Sequence, residues 1–158
     1  MTEIILIAAV ICVGWLLIRS QKQNKQQAQQ NRAAGREFLQ QNGQNPDVTT
    51  TSSGLQYQVI QPGSGTEHPS ASDKVQVHYH GTLIDGRVFD SSVDRGEPIS
   101  FGLNQVIKGW TEGVQLMVIG EKRRLFIPAD LAYGDGSAGI ITPGSTLIFE
   151  VELLAINP

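Results

Sequence analysis

The chain of 158 residues carries 12 Lys and Arg against 15 Asp and Glu, with 17 Gly, 7 Pro and one cysteine. That length holds one compact domain with an appendage and excludes two full domains. A net charge of -3 without a cationic domain face excludes nucleic acid as the main partner, and lone Cys12 excludes a disulfide within the domain.

Residues 4–18 (IILIAAVICVGWLLI) are an unbroken apolar run between Glu3 and Arg19. Fifteen residues are short of the roughly 20 that cross a hydrocarbon core, but Met1, Thr2 and a snorkelling Arg19 extend the reach. There is neither the basic leader nor the small-residue cleavage site of a signal peptide. The expectation is an uncleaved transmembrane anchor over residues 1–20, making this a single-pass membrane protein. Arg19, Lys22 and Lys25 after the run place the following domain on the cytoplasmic side. Residues 21–50 read as a Gln-rich polar tether, since the nine Gln between residues 21 and 44 cannot build a core. Within it, Ala33, Ala34, Phe38 and Leu39 offer one turn of docking helix, which Gly43, Asn45 and Pro46 would end.

From about Thr51 to residue 158 short β-like runs alternate with Gly, Pro, Asp and Ser. Leu55, Tyr57 and Val59 alternate, as do Val75, Val77 and Tyr79, then Ile99, Phe101 and Leu103. Leu125 and Ile127 follow Lys122, Arg123 and Arg124, which read as solvated edge residues. The last run puts Leu147, Phe149, Val151 and Leu153 on one face, with Glu150 and Glu152 on the other. Val106, Trp110 and Val114 recur at helical spacing between these strands. The fold class expected is α+β, with an antiparallel sheet wrapped around one short helix.

The domain holds no nucleophile paired with a base, no phosphate-cradling glycine loop and no clustered metal ligands. His78 and His80 share a strand face, with His68 remote, and read as surface histidines, so neither metal nor cofactor is expected. The apolar and aromatic segments VHYHG (77–81), RVFDSS (87–92), QVIKGWTEGV (105–114), LAYGDG (131–136) and TLIFEVELL (146–154) stand out. In this order they resemble the FKBP-type peptidyl-prolyl cis-trans isomerases over residues 53–157. The approach AAGREFLQQN followed by TTSSGLQYQVIQPGSG further resembles the bacterial macrophage-infectivity-potentiator-like branch.

The resemblance implies a half-barrel sheet around a short helix and an isomerase of X-Pro bonds in unfolded or flexible polypeptides. It implies Trp110 as the floor for the proline ring, with Phe89, Val106, Ile107 and Phe149 as walls and Ile141 as a cap. Tyr79, Asp90 and Tyr133 are its implied catalytic polar groups, and the Ile107 N–H its donor to a substrate carbonyl. Tacrolimus and rapamycin are the implied macrolide ligands. With the anchor, the chain would belong to a bacterial inner membrane, although the branch favours a periplasmic domain where the flank charges favour a cytoplasmic one. Ile99 stands where many relatives carry an aromatic wall residue, and the loop from Tyr133 to Pro143 is compact and lacks histidine. The alternative class is a tethered chaperone or proline-segment binding module with little turnover.

Overall fold

A computed structural model describes residues 2–158, with side-chain surroundings from residue 10 onward. It opens with α1 (Thr2–Asn42), a single helix of 41 residues. The strands are β1 (Val48–Thr50), β2 (Gln56–Gln61), β3 (Lys74–Leu83), β4 (Val88–Ser91), β5 (Ile99–Gly102), β6 (Lys122–Ile127) and β7 (Leu147–Ile156). Between them lie the one-turn α2 (Ser92–Arg95) and α3 (Lys108–Gln115).

The membrane expectation is corrected here. Among the described residues no helix is long and apolar enough to cross a membrane. The apolar run gives way at Arg19 to a strongly polar sequence on the same helix, and Val10 to Ile18 include exposed side chains. The part of the expected anchor on residues 1–9 lies outside the described side chains. A single-pass membrane protein, on either side of a bilayer, is therefore not supported.

The segment expected to be a solvated tether is helical as far as Asn42, because Gln, Ala, Lys, Arg, Glu and Leu are good helix formers and no proline interrupts them, and its last residues, Val48–Thr50, form β1. Its second half also packs on the domain. Ala28 and Gly35 are buried, and the Phe38 ring lies 6.1 Å from that of Phe126. Asn42 donates to Gln56, which in turn donates to the Leu39 carbonyl.

All seven strands join one sheet in the order β1-β2-β6-β7-β3-β4, with β5 also paired to β3. Every pairing is antiparallel. β3 and β7 alternate buried and half-buried residues, as a sheet with one core face requires. Val75, Val77 and Tyr79 meet Leu147, Phe149, Val151 and Leu153 in one core with Trp110, Val114 and Met117 of α3 and the turn after it. This is the α+β arrangement expected from the sequence.

Helix α3 can lie this close to β6 because two of its inward residues lack a side chain. A Cβ on Gly109 would stand 2.5 Å from Ile127 Cγ2, and one on Gly113 would stand 2.9 Å from Leu125 Cδ1. The close approach sets the depth at which Trp110, one residue after Gly109, enters the core.

The three cations of β6 are not edge residues, since β6 lies between β2 and β7. Arg123 shares the inward parity of Leu125, and its side chain is only 12% exposed beside a 6% exposed Glu121. Its guanidinium lies 4.4 Å from the centroid of the Tyr57 ring.

Candidate active-site cleft

A cleft of about 720 Å³ opens over α3, within the range of sites that take a small molecule or a few side chains. Tyr79 of β3, Phe89 and Asp90 of β4 and Phe149 of β7 form one side. Val106 and Ile107, on the extended approach to α3, and Trp110 form the base. Tyr133 and Ile141, from the loop between the 3-10 turn Ala129–Leu131 and β7, close the rim. All nine residues singled out from the sequence thus lie around one cavity.

The floor is an aromatic box. Trp110, 4% exposed, meets the Tyr79 ring at 5.3 Å and 82° and the Phe149 ring at 5.1 Å and 87°. Phe89 meets Phe149 at 5.2 Å and 85°. These edge-to-face contacts hold each ring by its neighbour, so the box is set before anything enters. Among the described residues the buried Trp110 indole N–H has no hydrogen-bond partner, which leaves the floor without an internal polar link.

One wall carries a fixed charge cluster. The Tyr79 hydroxyl donates to Asp90 Oδ2, Arg95 donates through Nη1 to Asp90 Oδ1, and Arg95 Nη2 reaches the Tyr79 oxygen at 3.0 Å. Burial alone would raise the Asp90 pKa, but the hydrogen bonds from Tyr79 and Arg95 outweigh it and hold the carboxyl below the usual carboxylate range. Burial, followed by the Asp90 hydrogen bond, pushes the Tyr79 phenol up. Asp90 is therefore an anion and Tyr79 a neutral donor near neutral pH. Neither is poised to exchange a proton.

Ser91 supports this wall by capping α2 through its side chain, which accepts from the Asp94 N–H at 3.1 Å. The cap fixes the turn that brings Arg95 back over Tyr79 and Asp90. On the opposite sheet face His78 Nδ1 pairs with Ser92 Oγ at 2.9 Å and His80 Nδ1 with Ser91 Oγ at 2.8 Å. Among the described residues no group of three His, Cys, Asp or Glu could hold a metal ion.

Arg95 escaped sequence reasoning, because it arrives on a one-turn helix with no periodic signal. Phe101, which the sequence marks only as one of an alternating run, lines the cleft with Ile99 and lies 5.3 Å from the Trp110 ring. Its shared parity with Ile99 on β5 was the available clue. Tyr133 is 45% exposed, and among the described residues neither its hydroxyl nor the Ile107 N–H is engaged in a hydrogen bond.

The arrangement can bind an apolar ring in a dry aromatic box and offer a few fixed polar groups to the chain on either side. Among the described residues that line the cleft, no nucleophile is in contact with a base.

Comparisons with known proteins agree with this geometry. A family model described as FKBP-type peptidyl-prolyl cis-trans isomerase matches residues 65–154. Another, the domain amino terminal to FKBP-type peptidyl-prolyl isomerase, matches residues 13–59. The FKBP-type peptidyl-prolyl cis-trans isomerase FkpA of Aeromonas hydrophila is 56% identical over 130 residues, covering 82% of this chain and 48% of that protein. The macrophage infectivity potentiator of Trypanosoma cruzi is 53% identical over 124 residues, covering 78% of this chain and 63% of that protein. The chain thus spans about half to two thirds of the length of these relatives. The crystal structure of FkpA from Escherichia coli superposes with a TM-score of 0.87 at 45% identity, covering 96% of this chain and 72% of that one. With its matched sequence, sheet and cleft, the chain belongs to the FKBP-type peptidyl-prolyl cis-trans isomerase family.

Proposed function

We propose that the chain is a peptidyl-prolyl cis-trans isomerase that accelerates rotation about X-Pro bonds in unfolded or flexible polypeptides, and that residues from about 51 to 158 carry the activity. The observation that carries the reading is Trp110, buried at the base of the cleft and flanked at near right angles by Tyr79 and Phe149.

Rotating an amide costs about 18 to 20 kcal/mol because the twist breaks its resonance. X-Pro is the bond with a substantial cis population, so it is the one where catalysis matters. No atom is transferred; the protein need only bind the twisted amide more tightly than either planar form. Twisting removes carbonyl delocalisation into the C–N bond and makes the amide less polar, so the desolvated box favours it. In this reading Trp110 holds the proline ring and Phe89, Val106, Ile107 and Phe149 are its walls. Ile141 is the cap, while the Ile107 N–H and Tyr133 hydroxyl fix the flanking chain so that only one side turns. Asp90 orients Tyr79 and places a negative charge beside the rotating group. The same apolar box is a fitting site for tacrolimus and rapamycin.

The test is refolding of a protein whose slow phase is limited by proline isomerisation, normally tens of seconds or longer. The full chain should shorten that phase catalytically, and tacrolimus should reverse the effect. Binding of proline peptides with no acceleration would assign the cleft to a binding module or chaperone instead.

A further inference from the structure

The loop between Ala132 and Thr146 holds two cleft residues, Tyr133 and Ile141, yet has little structure of its own. It contains one isolated bridge, between Ala138 and Ile141. Its base is closed by the Gly144 N–H donating to the Gly134 carbonyl at 2.8 Å. Its other bonds are single turns, from the Gly136 N–H to the Tyr133 carbonyl and from Ser145 Oγ to the Thr142 carbonyl, and with no strand ladder tying the rim to the sheet such a loop ordinarily moves against the elements that flank it.

Here α1 holds the loop from outside the cleft, at places next to both site residues. Arg32 donates through Nη1 to Asp130 at 2.7 Å and through Nε to Asp135 at 2.8 Å, one carboxylate on each side of Tyr133. Asn31 Nδ2 donates to Thr142 Oγ1 at 2.9 Å and to the Pro143 carbonyl at 2.7 Å, immediately after Ile141. The backbones also touch. Gly144 has φ +76°, and a Cβ there would stand 2.4 Å from the Ala28 carbonyl oxygen.

We propose that Arg32 and Asn31 of α1 are positioning residues for the isomerase cleft, bracing the loop so that Tyr133 and Ile141 are held at its rim. The inference rests on the functional reading above, which assigns those two residues to substrate. It makes α1 part of the working site, although none of its described side chains lines the cleft.

Exposure separates this role from a structural one. The carboxylates of Asp130 and Asp135 are 78% and 65% exposed, so pairs of this kind contribute little to global stability. They can still restrict a loop, because the competing motion is local. Such exposed pairs are screened by salt, which weakens the brace without unfolding the domain.

The full chain carrying Arg32→Gln is compared with the parent and with Arg36→Gln, which alters an exposed cation one turn further along α1. With a proline peptide as substrate, Arg32→Gln should raise KM by about three- to tenfold while kcat stays within about twofold. Amide hydrogen exchange over residues 131–141 should quicken, the thermal midpoint should hardly move, and Arg36→Gln should behave as the parent. Asp130→Asn combined with Asp135→Asn should reproduce the Arg32→Gln phenotype, and adding Arg32→Gln to that pair should change nothing more. Unchanged KM and loop exchange in folded Arg32→Gln would overturn the brace, as would full additivity with the aspartate pair. A parent chain without isomerase activity would instead remove the functional reading. The exchange rates would then still decide whether Arg32 restrains the loop.

Discussion

Arg95 is tied to Tyr79 twice, once through the carboxylate of Asp90 and once by its own hydrogen bond to the phenol oxygen. The three groups form a closed cluster in which Arg95 offsets part of the carboxylate's charge and the phenol is aimed by both.

This predicts a broad pH profile. The Asp90 carboxyl is held low, so the contribution of its ionised form is present above the unfolded carboxylate pKa of about 3.9 and is lost only as pH falls through the depressed folded value. The Tyr79 phenol is held high, so the contribution of its neutral form is complete below the unfolded value of about 10 and is lost only at higher pH. Catalytic efficiency measured between about pH 5 and 9 should therefore be flat. A step near pH 6 to 7 would show that another titrating group controls the rotation. Asp90→Ala should lower kcat/KM with little loss of stability, because the side chain is 45% exposed and adds little to the core.

Phe149→Ala should act on stability and turnover together. The ring is 6% exposed and meets Tyr79, Phe89 and Trp110, so its removal should cost about 3 to 5 kcal/mol in chemical denaturation. Tyr133→Phe removes only a rim hydroxyl and should leave the denaturation midpoint in place. Its effect should be a weaker transition-state interaction of order 1 kcal/mol, read as kcat/KM. If Tyr133→Phe is indistinguishable from the parent, the hydroxyl has no part in holding the chain.

The sheet and the floor of the cleft were legible because both follow period rules. Val75, Val77 and Tyr79, like Leu147 to Leu153, alternate in sequence and alternate in burial. Trp110 follows the helical repeat with Val114. The docking of α1 was not legible beyond Phe38 and Leu39. Its other contacts run through Asn31, Arg32 and the small residues Ala28 and Gly35, which make no apolar stripe in the Gln-rich sequence. Arg123 was misread because three consecutive cations look solvated, and although Glu121 stands two residues earlier, nothing local shows that their shared face turns inward in a central strand.

Truncation should expose the value of that docking. A fragment beginning near Pro46 keeps every strand, so it should still unfold cooperatively. It loses the Phe38 ring over Phe126 and both partners of the buried Gln56 side chain, Asn42 and the Leu39 carbonyl. Removing α1 also uncovers the Gln56 amide, so water replaces its lost partners and the net loss is about 0.5 to 1.5 kcal/mol per hydrogen bond, together with the lost apolar contact. The fragment should therefore have a lower thermal midpoint than one beginning near Gln21, which keeps these contacts. Equal midpoints would show that α1 contributes nothing to the stability of the domain.

The Glu121–Arg123 pair gives the sharpest stability test, because removing one charge and removing both should differ. Glu121 accepts from Arg123 Nε and, through its second oxygen, from the Val118 N–H at 2.9 Å. Arg123 Nη1 is buried and has no partner among the described residues, so Glu121 is the one anion beside a guanidinium otherwise held against the Tyr57 ring. Glu121→Leu would leave a cation enclosed without an anion and the Val118 amide without its acceptor. Breaking a buried pair in this way typically costs about 3 to 5 kcal/mol. Arg123→Met keeps a long side chain over Tyr57 but strands the carboxylate, and should cost a similar amount. Combined, the two substitutions exchange a desolvated ion pair for apolar packing, so the double variant should be more stable than either single one. Chemical denaturation of the four chains measures the coupling directly. Additive losses would mean that each side chain acts through its own packing and that the pair is not an energetic unit.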